Sequence, residues 1–186
     1  MSTDHHYSLF YDWIRRNDGH IHPHVKIEFR DERGLFASDS IERHAALVTI
    51  PWSLVVNQQH GDVSSIEVET ERMALLAFLV REHLKRDASF WSPWLNLLNV
   101  ENLTNELLAT KMKLFDCVEH STLGDALTTR YQQLQEEHLQ LTQSGVIESS
   151  LELYAAADHL VWSRVLGLPE DEPLSLVPLI DFANHR

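Results

Sequence analysis

The stretch Val25–Arg30, "VKIEFR", alternates apolar and charged residues without a break. Val25, Ile27 and Phe29 face one way and Lys26, Glu28 and Arg30 the other, which is the pattern of a strand buried on one face. Such a strand needs sheet partners, because a lone hairpin is marginal in water. Few partners are close by. A turn at "DERG" leads into "LFA", and "ALVTIP", Ala46 to Pro51, reads as one more short strand stopped by proline. The next strand-like run is "LSLVPLIDF", Leu174 to Phe182, at the far end of the chain. The first segment has too few strands to close a core alone, and the last has no partner near it in sequence. The order therefore predicts an α+β fold, in which a β-rich domain is interrupted by helices. Leu174 to Phe182 is expected to pack against the N-terminal strands.

The intervening patterns are helical. An opening helix in "YSLFYDWIRR" sets Leu9, Phe10 and Trp13 on one face, and Gly19 ends it. In the middle, Ser64 with Glu67 forms a capping-box pattern, followed by an apolar face of Met73, Leu76, Ala77, Val80 and Leu84. A second helix is expected from about Ser121 to Leu141, striped by Leu123, Leu127, Tyr131 and Leu134. A third starts near Ser149 with Leu153, Tyr154, Ala157, Leu160 and Val161, and is closed by Gly167 and Pro169. In "SFWSPWLNLL", Trp91, Pro93 and Leu95 read as structural anchors. The boundaries drawn from these patterns are residues 1–65, 66–158 and 159–186.

Composition excludes several classes. With 15 Lys+Arg against 28 Asp+Glu the net charge is −13, which argues against nucleic acid as a partner. Cys117 is the single cysteine, so no internal disulfide or cysteine-based zinc cluster can form. The start "MSTDHHYSLF" lacks a signal-peptide pattern, and the longest apolar run, "ALLAFLV", is too short to span a membrane. A cytoplasmic or nuclear location fits these features. The six glycines at 19, 34, 61, 124, 145 and 167 make no Gly-x-Gly loop and no P-loop. His20, His22 and His24 alternate and could share a strand face as metal ligands, but Pro23 interrupts them and no carboxylate or cysteine cluster completes the set. The expectation is a solvated loop and no metal. Asp158, His159 and Ser163 suggest a hydrolytic triad only on paper, since helix neighbours point in different directions.

Four segments carry chemistry by their order: "DERGLFA" (Asp31 to Ala37), "SFWSPWLNLL" (Ser89 to Leu98), "HLVWSRVLGL" (His159 to Leu168) and "LVPLIDFANH" (Leu176 to His185). Preceded by Phe10-x-x-Trp13 and by Ile50-Pro51, they resemble the SET-domain protein-lysine methyltransferases of the Rubisco large-subunit methyltransferase type. The departures are Arg33, where that family often has a glycine, and Trp94, where it has a tyrosine. The resemblance implies a partial SET domain carrying a helical insertion, with S-adenosylmethionine as cofactor and a protein substrate. It makes cofactor candidates of Asp31, Glu32, Arg33 and Gly34 in the first turn, of Ser163 and Arg164, and of Asp181, Asn184 and His185, the Asn-His step holding the adenine end.

In the family a tyrosine in a Tyr-Gly stretch beyond the Asn-His step helps to build the lysine channel. None of Tyr7, Tyr11, Tyr131 or Tyr154 stands in that place in order, so no catalytic residue is assigned. The resemblance thus covers the front part of such an enzyme, truncated at the Asn-His motif. The 186 residues alone are expected to bind the cofactor weakly and to transfer no methyl group. Two alternatives stand beside this reading: a non-catalytic module that binds a protein through the helical insertion, and a metal protein built on the three alternating histidines.

Overall fold

A computed structural model describes residues 3–31, 33–100, 121–167 and 173–183. These divide into two compact units, one formed by residues 1–64 and 164–186 and the other by residues 65–163.

The first unit opens with helix α1 (Thr3–Arg16). Its buried face is Phe10, Trp13 and Ile14, whereas Leu9 is exposed, so the apolar stripe lies one step round the helix from the expected one. The helix ends in a Schellman motif. Asp18 takes the left-handed conformation (φ 65°), the Gly19 N–H donates to the Ile14 carbonyl at 2.9 Å, and the Asp18 N–H donates to the Arg15 carbonyl. Gly19 is needed for close approach. A Cβ there would stand 2.4 Å from Ile14 Cγ2 and 2.9 Å from its carbonyl oxygen.

Strands β2 (Val25–Phe29) and β3 (Arg33–Ala37) form an antiparallel hairpin in which Ile27 faces Leu35 and Glu28 faces Gly34. Val25 and Ile27 are buried as expected, but Phe29 is 74% exposed at the hairpin tip, beyond the reach of the core. The Tyr11 hydroxyl of α1 accepts the Ile27 N–H at 2.6 Å and ties helix to hairpin. Strand β1 (His20–Ile21) pairs with β4 (Val48–Thr49), which is all that forms of the strand expected from Ala46 to Pro51. After Pro51 the chain turns into a short 3-10 helix, Trp52–Leu54.

The far end of the sequence completes this unit. Val56 and Leu176 exchange both backbone hydrogen bonds at 2.9 Å, and Leu166 and Ser175 pair likewise on the other side. The side chains reinforce the link, as Asn57 Nδ2 donates to Ser175 Oγ at 3.2 Å, both residues being buried. Leu174 to Phe182 therefore packs with the N-terminal elements, as isolated bridges and a 3-10 turn (Ile180–Phe182) rather than a full strand. Phe10, Ile14, Leu54, Val56, Leu176 and Leu179 are fully buried in this unit.

The second unit is helical: α3 (Glu71–Leu84), α4 (Ser92–Leu98), α5 (Thr122–Gln143) and α6 (Leu151–Arg164), whose last residue belongs to the first unit. A short α2 (Gly61–Ser64) precedes it. The cap of α3 is Thr70, whose hydroxyl accepts the Met73 N–H, and not Ser64, which already ends α2. Residues Met73 to Val80 are all buried while Leu84 is exposed, so α3 is a core helix without a single stripe. Along α5 the buried positions are Gly124, Leu134 and Leu141, and Leu123 is exposed. Trp91 and Trp94 are fully buried, with Trp91 edge-on to Phe78. Buried Glu82 accepts from the Ser89 hydroxyl at 2.7 Å, and that oxygen in turn accepts the Trp91 N–H, fixing the entry into α4.

Charge is buried in this unit too. Arg72 is bonded to both Glu137 and Asp158, and Arg130 meets Asp158 at 2.6 Å. Asp158 is thereby committed to two arginines, and His159 beside it is exposed, so no triad forms. The Tyr154 hydroxyl donates to Glu137 at 3.3 Å, and burial, with the charge of Glu137 adding to it, raises its pKa.

Two outcomes are expected. Gly19→Ala forces Ile14 aside and costs about 1–3 kcal/mol in urea denaturation. The raised Tyr154 pKa means that the unfolded chain ionises first, so the native state holds more protons above pH 10 and stability falls as pH rises through that range. Melting temperatures taken from pH 8 upward should fall less steeply above about pH 10 in Tyr154→Phe than in the native chain.

Candidate functional site

The site is built where α6 ends and the chain returns through Leu179 to Phe182. Leu179 is fully buried yet has φ 74° and ψ −46°, a positive-φ conformation close to that of a γ-turn, which a non-glycine residue holds only under constraint. The turn it makes lets the Asp181 N–H donate to the Val177 carbonyl at 3.0 Å. The Asp181 side chain is completely shielded from solvent. Arg164, at the end of α6, donates through Nη1 to the Asp181 carbonyl at 2.8 Å and lies 3.8 Å from its carboxylate. The Nε of Arg164 is buried and has no hydrogen-bond partner among the described residues. A buried N–H in that state costs about 1–3 kcal/mol, so the position suits an acceptor.

A second guanidinium stands close by. Arg33, at the start of β3, lies 4.7 Å from the centroid of the Phe182 ring, and Arg164 lies 5.1 Å from the same ring. Phe10 meets Phe182 edge-on at 6.1 Å and fixes its plane from the α1 side. Burial, and then the positive charge of Arg164, hold the Arg33 guanidinium below its ordinary value, opposed by a hydrogen bond to Tyr7 and by the charge of Asp181. Tyr7 comes from α1, Arg33 from the hairpin, Arg164 from the end of α6, and Asp181 with Phe182 from the closing turn.

Of the candidates from the sequence, Arg33, Arg164 and Asp181 are brought together. Gly34 is buried in β3 beside them, facing Glu28. Asp31 is exposed in the hairpin turn. Ser163 is exposed, and its hydroxyl donates to the Leu160 carbonyl on its own helix. Glu32, Asn184 and His185 lie outside the described residues. Tyr7, Leu179 and Phe182 were missed as site residues. Phe182 sits inside the quoted Asp-x-x-Asn-His segment and could have been included, but nothing in the sequence near Tyr7 marks it. His22 and His24 lie with ring centroids 5.4 Å apart, the His24 N–H donating to His22 Nδ1 at 3.2 Å. Among the described residues no three histidine, cysteine or acidic side chains gather around a possible metal position.

The fold that presents this cluster, short paired strands interrupted by a helical unit, is that of a partial SET domain of the Rubisco LSMT type. The SET domain of LSMT bound to lysine and AdoHcy superimposes with a TM-score of 0.77 at 19% identity, over 100% of this chain and 45% of that one. The same domain bound to methyllysine and AdoHcy gives 0.75 at 20% identity, over 97% of this chain and 45% of the other. Rubisco LSMT bound to sinefungin and monomethyllysine gives 0.71 at 20% identity, over 100% and 45%. The chain thus spans less than half the length of these neighbours. No protein-family model matches the sequence, and no curated protein matches it.

Removing the buried carboxylate should leave Arg164 without its counter-charge. Asp181→Ala is expected to cost about 3 kcal/mol, read as a lowered urea midpoint, because breaking one side of a buried pair leaves the other uncompensated.

Proposed function

We propose that this chain forms the cofactor-holding part of an S-adenosylmethionine-dependent protein-lysine N-methyltransferase. Residues 1–65 and 159–186 are read as its SET portion and residues 66–158 as a helical insertion within it. The observation that carries the reading is the buried Nε of Arg164, poised beside Asp181 in a SET fold. Solved neighbours with that fold hold AdoHcy or sinefungin together with lysine or a methylated lysine.

The chemistry of the donor set fits the cofactor. Its amino-acid end carries a carboxylate, for which an unpartnered guanidinium N–H is a charge-assisted donor. Its sulfonium is a cation, favoured by oxygen acceptors such as the Asp181 carboxylate and nearby carbonyls. The turn from Asp31 to Gly34 is read as offering backbone groups to the same end, with Arg164 beside it, and Asn184 with His185 as taking the adenine end. When bound, S-adenosylmethionine supplies the methyl group for in-line displacement by a neutral amine. What the chain's own residues do is bind, orient and exclude water. The 186 residues are read as carrying this cofactor side of the site, and no residue among them is assigned a catalytic role. The substrate class is a protein lysine.

Titration calorimetry of the chain with S-adenosylhomocysteine tests the reading. Saturable binding is expected, weakened about ten- to a hundredfold in Arg164→Ala, the loss of a hydrogen bond to a charged group. Absence of binding at millimolar ligand, or affinity unchanged by the substitution, would overturn it, and absence would favour a protein-binding module instead.

A further inference from the structure

Leu179 stands where glycine is the usual residue. It follows Pro178, and a positive φ directly after proline is the arrangement at the third residue of a type II turn, which glycine fills because it has no Cβ. Leucine holds φ 74° and ψ −46° there. Its side chain is fully buried, and burying a large apolar group gains about as much as such a backbone conformation costs. Glycine would make the turn without strain but would leave it free to make others. Leucine favours one arrangement, because a different one draws the side chain out of the core.

The turn closes a circuit on Arg164. The chain leaves α6 at Arg164, pairs Leu166 with Ser175 through two backbone hydrogen bonds, and turns at Leu179. The Asp181 N–H donates to the Val177 carbonyl and the Phe182 N–H to the Leu179 carbonyl, so the short helix Ile180–Phe182 is tied to the strained residue and to the segment before it. The Asp181 carbonyl is thereby returned to Arg164, where it accepts from Nη1 at 2.8 Å. That contact is to backbone, so its place is set by backbone dihedrals, and the unusual one in this segment is at Leu179. The same contact aims the buried Nε of the guanidinium.

Resting on the reading under Proposed function, we propose that Leu179 is a positioning residue of the cofactor site. Its strained turn places the Asp181 carbonyl, that carbonyl orients the Arg164 guanidinium, and the buried leucine side chain locks the arrangement before ligand arrives. The strain is held in the free protein, so binding does not bear the cost of ordering the turn. Leu179 acts through Asp181 and Arg164 and is assigned no contact with the ligand.

Substitution separates backbone conformation from side-chain bulk. Leu179→Gly removes the bulk and keeps the positive φ accessible, whereas Leu179→Ala removes the bulk and disfavours that φ. Both are titrated calorimetrically with S-adenosylhomocysteine at a temperature where circular dichroism shows them folded. Leu179→Gly should lose about three- to fivefold in affinity and Leu179→Ala about ten- to a hundredfold. A ligand-free readout is the Arg164 Nε–H signal in a heteronuclear NMR spectrum of the arginine side chains, identified by its loss in Arg164→Lys. It should exchange slowly with water in the native chain and in Leu179→Gly, and rapidly in Leu179→Ala. Should Leu179→Ala not fold, Leu179→Met and Leu179→Ile keep the volume. Methionine should match the native affinity, and isoleucine, whose branched Cβ tolerates a positive φ poorly, should fall below it. An affinity of Leu179→Gly equal to or below that of Leu179→Ala would overturn the inference. So would equal affinities in the Met and Ile variants, or an Nε–H that exchanges slowly in every variant. If the native chain binds no S-adenosylhomocysteine, the cofactor reading falls and this inference with it. If the native chain binds and the variants do not differ from one another, only the inference falls.

Discussion

The first unit depends on the paired backbone hydrogen bonds between Val56 and Leu176. Without them the N-terminal hairpin and α1 have no closing layer, and the turn that carries Asp181 has nothing to hang from. The partners are distant in sequence, Asn57 and Ser175 beside them being 118 residues apart. Closing a flexible loop of that length costs about 4 kcal/mol in the simplest chain model. Two backbone bonds at about 1 kcal/mol each do not offset that alone. The burial of Leu54, Val56, Leu176, Leu179 and Phe182 supplies the remainder, at about 1.5–3 kcal/mol per fully buried large apolar side chain. The intervening residues also form a unit with its own buried core, so the loop is not a flexible chain when it closes.

Much of this architecture could be read from residue pattern. The strict alternation of Val25 to Arg30 identified a strand, the clusters around Tyr154 and Leu134 identified helices, and the lack of local strand partners pointed to the return of Leu174 to Phe182. The errors share a cause. Apolar periodicity says that a face exists but not how far the core extends. Leu9, Phe29 and Leu123 fit their patterns and lie outside the core, while Ile14 lies inside it. The Ser64 and Glu67 capping pattern was matched by spacing alone, and Thr70 won because the helix begins later. Short strands such as Val48–Thr49 are set by which backbone groups find partners, and side-chain pattern does not encode that.

The candidate site was legible in a similar proportion. Arg33, Arg164 and Asp181 were each nominated by a motif, and the fold gathers them. Tyr7 joins only because its side chain bonds Arg33 at the start of β3, a tertiary fact with no local signature. The strained Leu179 was equally hidden, since leucine is an ordinary residue in an apolar run and nothing in its neighbours announces a positive φ. Asp158 illustrates the reverse. It looked chemically interesting beside His159, yet it spends its charge on Arg72 and Arg130 inside the helical unit.

The discontinuity of the first unit has a consequence for its birth. On a ribosome adding about 5–20 residues per second, Val56 is made on the order of ten seconds before Leu176. During that interval α1 and the hairpin exist without the segment that closes them, while the helical unit has all of its residues at hand once Ser163 has emerged. The helical unit is thus able to mature first, and the earliest part of the chain waits for the latest. A nascent strand with unsatisfied edges is a hazard for pairing with the wrong neighbour. The excess of 28 acidic over 15 basic residues gives such waiting chains a mutual repulsion that opposes this pairing.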